Sequence, residues 1–225
     1  MFKIITLLSL SLGLSSLIAS EQLIVVLSAE LNATNGTMQR YEKEKVWRKI
    51  GEEIQVVLGR NGLGYSDQKN PLKKEGDGRS PAGVFPISST FGYDEHPNSA
   101  MAYHYADEKL ICVDDIEDER YNTFALLDPL NPPKSFENMR RSDDVYRNGA
   151  VIGYNTSGEK GRGSCIFIHL NHSDHRPTSG CTAMDEAPLI ELLHWLDPQK
   201  NPQILQIPKS ECENYQKELE GITCE

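Results

Sequence analysis

The sequence predicts a mainly β domain, a sandwich or barrel of short strands with one clear helix towards its C-terminal end. Short β-branched runs recur at close spacing, a single stretch has helical period, and no linker or repeat divides the 225 residues. At roughly 100–200 residues per domain, the chain holds one domain with a real core. Its formal net charge of −10 speaks against nucleic acid as a partner, because phosphate binding needs clustered Lys and Arg.

Residues 1–20, MFKIITLLSLSLGLSSLIAS, place Lys3 ahead of an apolar run that ends in the small residues Ala19 and Ser20. This is the layout of a cleavable secretory signal peptide, and the run is shorter than the roughly 20 residues a spanning helix needs. The mature chain is therefore expected to be exported, with no stable membrane span. Its main domain is expected over 21–208, followed by a C-terminal tail over 209–225. The run QLIVVLS at 22–28 reads as a buried strand, and further strands are expected at 37–41, 45–49, 53–58, 83–87, 109–113, 150–154, 164–170 and 203–207. The polar stretches 59–82, 94–108 and 114–148 read as long surface loops. Over 185–196, Leu189, Leu192, Leu193 and Leu196 recur at helical spacing behind an acidic first turn that tolerates Pro188, and Asp197-Pro198 ends the helix.

The chemistry is concentrated in GSCIFIHLNHSDHRPTSGCTAMDEA, residues 163–187, which holds three of the six histidines. If 164–170 is a strand, Cys165, Phe167 and His169 share one face. Gly180 lets the backbone approach a ligand, and a thiol at Cys181 just before a helix would have its pKa lowered by the amide dipoles. His169 and Cys181, 12 positions apart across one loop, suit a base and a nucleophile. A metal site built from His169, His172, His175, Cys165, Asp174 and Cys181 is the competing reading and would make the protein a zinc hydrolase.

The segments GDGRSPAGVFPI (76–87) and IHLNHSDHRPTSGCTAMD (168–185) resemble the L,D-transpeptidase catalytic domain, the YkuD-like domain of bacterial cell-wall enzymes. Pro81, Gly83, Phe85 and Ile87 match its strand-turn-strand motif, and His169 with Thr178-Ser179-Gly180-Cys181 matches its signature. The resemblance implies a β-sandwich fold with mixed sheets, a helix after the catalytic cysteine, a periplasmic or cell-surface location and peptidoglycan stem peptides as substrate, which would make the zinc alternative a cell-wall hydrolase. It also implies that His169 takes the proton of Cys181, whose thiolate attacks a stem-peptide carbonyl, while the Gly180 and Cys181 amides hold the oxyanion. The thioester would pass to an amine, or to water in L,D-carboxypeptidase chemistry, with no metal or organic cofactor. The commonest form of the family has His where Ser179 stands and Arg or Asn where Ala183 stands, so a catalytically silent wall-binding domain is a further reading. Arg176 is the nearest replacement cation. Thr178, Ser179, Arg79 and Tyr154 complete the expected substrate-binding set.

Five cysteines leave one unpaired in an oxidising compartment. With Cys181 as the nucleophile, the other four allow three pairings. A Cys212–Cys224 bridge would pin the C-terminal tail, leaving Cys112 and Cys165 as the second pair.

Overall fold

A computed structural model describes residues 20–67, 69–97, 99–216 and 219–224. The expected signal peptide therefore lies outside the described residues, apart from Ser20. Among them, no helix is long and apolar enough to cross a membrane.

The strands are β1 (Gln22–Ser28), β2 (Asn35–Lys43), β3 (Trp47–Val57), β4 (Leu63–Tyr65), β5 (Ser80–Gly92), β6 (Tyr103–Tyr105), β7 (Leu110–Val113), β8 (Phe124–Leu126), β9 (Phe136–Asn138), β10 (Asn148–Ile152), β11 (Phe167–Leu170), β12 (Thr182–Met184) and β13 (Gln203–Pro208). Two helices accompany them, α1 (Glu186–Trp195) and α2 (Lys209–Gln216).

β1 is buried along its whole length because it pairs antiparallel with β2 and parallel with β13, with a core on each face. Ile24 and Val26 enter the main core, while Leu23, Val25 and Leu27 enter a second one. A strand covered on both sides reads as a continuous apolar run, which is what QLIVVLS is. α1 adds Leu189, Leu192 and Leu193 to the main core, with Leu196 just beyond its last turn.

The protein is mainly β, but its main sheet closes on itself like a barrel, where the resemblance implied a sandwich. The order runs β10-β11-β12-β3-β2-β1-β13-β5, and β5 pairs again with β10. Closure depends on the length of β5: residues 83–86 pair with β13, and the later residues, from Ile87 to Gly92, pair with β10. On the other side, the register of Ala183 with Val57 joins β12 to β3. The strands expected at 45–49 and 53–58 are one strand, β3, which bends at Gly51 with φ +68° instead of breaking there. The strand expected from 164 begins only at Phe167, because Cys165 has φ +54° and leaves the extended path.

The stretch 114–148 is not all loop. β8, β7 and β9 form a small second sheet in that order. A third apolar cluster joins this sheet to β11 through Cys112, Met139, Tyr146, Cys165, Phe167 and Cys181. Cys112 on β7 is disulfide-bonded to Cys165, just before β11. At the other end, Cys212 of α2 is bonded to Cys224, and Leu219 and Ile222 pack on Leu23, Leu27 and Ile207. The Trp47 N–H donates to Glu220 O at 2.8 Å, so the last residues cover one end of the sheet.

Candidate active site

Cys181 is the free cysteine. It precedes β12, and α1 begins only at Glu186, so the thiol is not at a helix N-terminus. Its position is set by its own turn. Thr178 Oγ1 and Ser80 Oγ both donate to Cys181 O, at 2.7 and 2.8 Å, and Gly59 N–H donates to Ser80 Oγ at 2.9 Å. Gly180 has φ +148°, and a Cβ there would stand 2.9 Å from Arg79 O, so only glycine fits the approach. The Gly180 N–H already donates to Thr178 Oγ1 at 3.1 Å, so one of the two amides expected to hold an oxyanion is engaged within the turn.

Alternation along β11 sends Ile168 and Leu170 into the main core and Phe167 and His169 to the opposite face. β11 and β12 are parallel with His169 opposite Ala183, which puts Cys181 diagonally across from His169. Both line one cavity of about 380 Å³, together with Thr178, Ser179 and Gly180. No hydrogen bond joins them among the described residues. The sulfur accepts from Phe167 N–H at 3.4 Å and donates to Cys165 O at 3.6 Å. Burial pushes the thiol up to about 12, opposite to the lowering expected from helix dipoles, and the nearby Glu137 carboxylate adds to the rise.

His169 Nδ1 donates to Leu170 O at 2.8 Å, which leaves Nε2 as the lone-pair nitrogen. Its ring meets Tyr146 edge-on at 5.2 Å. Burial lowers its pKa from 6.5 to about 4, so the imidazole is neutral at physiological pH. This has a consequence for stability. Below pH 6.5 the unfolded chain takes up a proton that the buried ring refuses, so stability present above 6.5 is lost as the pH falls through 4, by roughly 3 kcal/mol in all. Urea midpoints of the wild type should fall over that range, and His169→Gln should remove this part of the slope. Parallel curves would show that the ring's burial does not set it.

Three expected substrate contacts are not in the cavity. Arg79 Nη1 donates to Leu63 O at 2.9 Å and to Asn61 O, so its guanidinium ties β4 to the loop before it. Arg176 is exposed beside Asp174 and His172. Tyr154 is buried against Phe85, donates to Arg162 O, and faces a separate hollow of about 150 Å³ that also borders the Cys112–Cys165 bridge. Ala183 is buried within β12 and offers the cavity no cation. Among the described residues, no group of three or more His, Cys, Asp or Glu could hold a metal, and Cys165 is committed to its disulfide.

The cavity's cations are instead Arg60, Lys73 and Arg141, facing Glu75, Asp114 and Glu137. Lys73 is buried and pairs with Asp77 at 2.9 Å, and Arg141 is held by both oxygens of Asp143. Arg60 is exposed, donates to Ser179 Oγ at 3.1 Å, and has no carboxylate partner among the described residues. None of the three residues Arg60, Glu137 and Tyr146 lies in the signature segment: Arg60 comes from the β3–β4 connection, Glu137 from β9 and Tyr146 from the β9–β10 connection.

Comparison with known proteins gives one finding. The family model described as the L,D-transpeptidase catalytic domain, YkuD, matches residues 23–205. No curated protein and no solved structure matches the chain.

Proposed function

The chain belongs to the family of the L,D-transpeptidase catalytic domain, whose members act on peptidoglycan peptides, and from that premise we propose that it is an exported, periplasmic or cell-surface transpeptidase. In this reading Cys181 attacks the carbonyl between an L-centre and the terminal D-residue of a stem peptide and forms a thioester, which an amine then resolves. The observation that carries it is the opening of the one unbridged sulfur and of His169 into a single cavity. His169, neutral and with Nε2 as its accepting nitrogen, is the general base of the reaction.

The test is to incubate the mature protein with tetrapeptide-bearing muropeptides and resolve the products by mass. Cross-linked dimer is expected. Trimmed tripeptide would make the protein an L,D-carboxypeptidase, and unchanged substrate would favour a wall-binding domain. Activity should survive a chelator; its loss would revive the zinc reading.

Arg60 is the guanidinium best suited to a substrate carboxylate, since its planar fork matches that group and no acidic side chain among the described residues occupies it. Loss of one charge-assisted contact costs roughly 1.5–3 kcal/mol, so Arg60→Ala should raise KM by about 10-fold or more with little change in kcat. An unchanged KM would remove Arg60 from recognition.

A further inference from the structure

The Cys181 sulfur is bracketed by two backbone groups of one segment: it donates to Cys165 O at 3.6 Å and accepts from Phe167 N–H at 3.4 Å. Phe167 is fixed by the β11 ladder, where it pairs with Val151. Cys165 lies outside the strand, and its φ of +54° is a conformation that a residue with a Cβ keeps only when its surroundings impose it. The Cys112–Cys165 bridge holds the side chain of Cys165 but not the turn of its peptide.

Asn122 holds that peptide. It sits in the turn between β7 and β8 at φ +62°, a left-handed conformation that Asn adopts more readily than most residues. Its Oδ1 accepts from Cys165 N–H at 2.9 Å, and its Nδ2 donates to Tyr154 O at 2.9 Å and to Asn155 O at 2.8 Å. Two carbonyls and one N–H leave a single way for the amide to point. The Asn122 N–H donates to Val113 O at 2.8 Å, which anchors the residue to β7. Cys165 and Ile166 border both the catalytic cavity and the second hollow, whereas Asn122 borders only the second hollow. Asn122 therefore acts on the thiol from behind the cavity wall, through Cys165.

We infer that Asn122 is a positioning residue for Cys181: by holding the Cys165 peptide it aims the Cys165 carbonyl at the thiol hydrogen and fixes the rotamer in which the sulfur lies in the cavity. The two contacts on the sulfur act in opposite senses. Cys165 O can only accept and favours S–H, whereas Phe167 N–H donates and favours the thiolate. The resting thiol is kept protonated and still until S–H turns away from Cys165 O. Its proton then passes to His169 Nε2, and the electron pair left on sulfur attacks the carbonyl carbon. Without the Asn122 amide, Cys165 N–H loses its acceptor and the peptide can leave the left-handed region. The first contact is then lost and the second remains, because Phe167 stays in its ladder.

This role rests on Cys181 as the nucleophile, but half of the test needs no substrate. The other four cysteines are bridged, so iodoacetamide on the unreduced mature protein reads Cys181 alone, by intact mass. Asn122→Gly removes the amide and keeps the turn, because glycine accepts a positive φ. It should label at pH 7 faster than the wild type by about 3-fold or more, the effect of one lost hydrogen bond. With tetrapeptide-bearing muropeptides its kcat should fall by about 10-fold at unchanged KM, since the sulfur is less well placed and the substrate contacts remain. Asn155→Gly is the matched control: from φ +51° it loses a bond to Gly163 O at 2.9 Å in the same segment and leaves Cys165 N–H untouched. It should label like the wild type, and so should Asn122→Asp, which keeps an oxygen for Cys165 N–H. Acceleration in either of these two would overturn the assignment, as would an unchanged or slower rate in Asn122→Gly, or an unchanged kcat in that variant. So would an Asn122→Gly rate that rises with urea below the unfolding transition, because labelling would then report opening of the fold. Labelling as expected in a protein inert toward muropeptides would fail the functional reading and leave the positioning intact.

Discussion

Cys181→Ser is expected to lower turnover of a tetrapeptide stem by roughly 10³-fold or more, equivalent to about 4 kcal/mol of barrier. A serine hydroxyl is far less acidic than the thiol and a weaker nucleophile in a buried site with no strong base bonded to it. The scaffold should not change. The bonds that shape the turn, from Thr178 and Ser80, go to the Cys181 carbonyl and not to its side chain. The sulfur's own contacts, at 3.4 and 3.6 Å, are weak ones. The thermal midpoint should therefore stay close to that of the wild type. Intact mass during turnover gives the second readout: an acyl adduct on the wild type and none on the variant. An active Cys181→Ser protein would rule out the thioester.

What could be read from the sequence depended on how local each signal was. β1 announced itself because both faces are buried, and α1 because one face is, so each left its period in consecutive residues. Sheet closure left no such mark. Inward and outward residues alternate in a barrel-like sheet as they do in a sandwich, and the closing contacts are made by the second half of β5 and by Ala183 with Val57. Strands of three residues, such as β8 and β9, are too short to show alternation at all. The site divides in the same way. His169, Gly180 and Cys181 lie within one segment whose spacing carries meaning, whereas Arg60, Glu137 and Tyr146 are brought in by chain reversals that no local pattern encodes. Arg79 and Arg176 were suggested by charge alone, and charge does not tell a cation facing a ligand from one tying down its own backbone.

The small sheet would be a weakly anchored elaboration without the Cys112–Cys165 bridge, since its strands have three or four residues and Leu126 and Leu130 remain exposed. Replacing both cysteines, Cys112→Ala with Cys165→Ala, is expected to cost about 4 kcal/mol of stability for a closed loop of 53 residues. The double variant is needed because a lone Cys165 would share a cluster with the Cys181 thiol and could be oxidised onto it. Activity should fall by more than the unfolded fraction accounts for. The bridge ties β7 to the segment entering β11, and β7 pairs with β9, which carries Glu137. The other bridge supplies the control. Cys212→Ala with Cys224→Ala opens a loop of 12 residues and should cost about 3 kcal/mol on the same reckoning. Its surroundings are the second core, far along the chain from the cavity's residues, so kcat of the folded fraction should be unchanged. Measured per folded molecule at a temperature where both variants are mostly native, the two should separate by at least about 10-fold in kcat/KM. Equal losses would mean that the first bridge only adds stability and that the small sheet does not shape the cavity around the thiol.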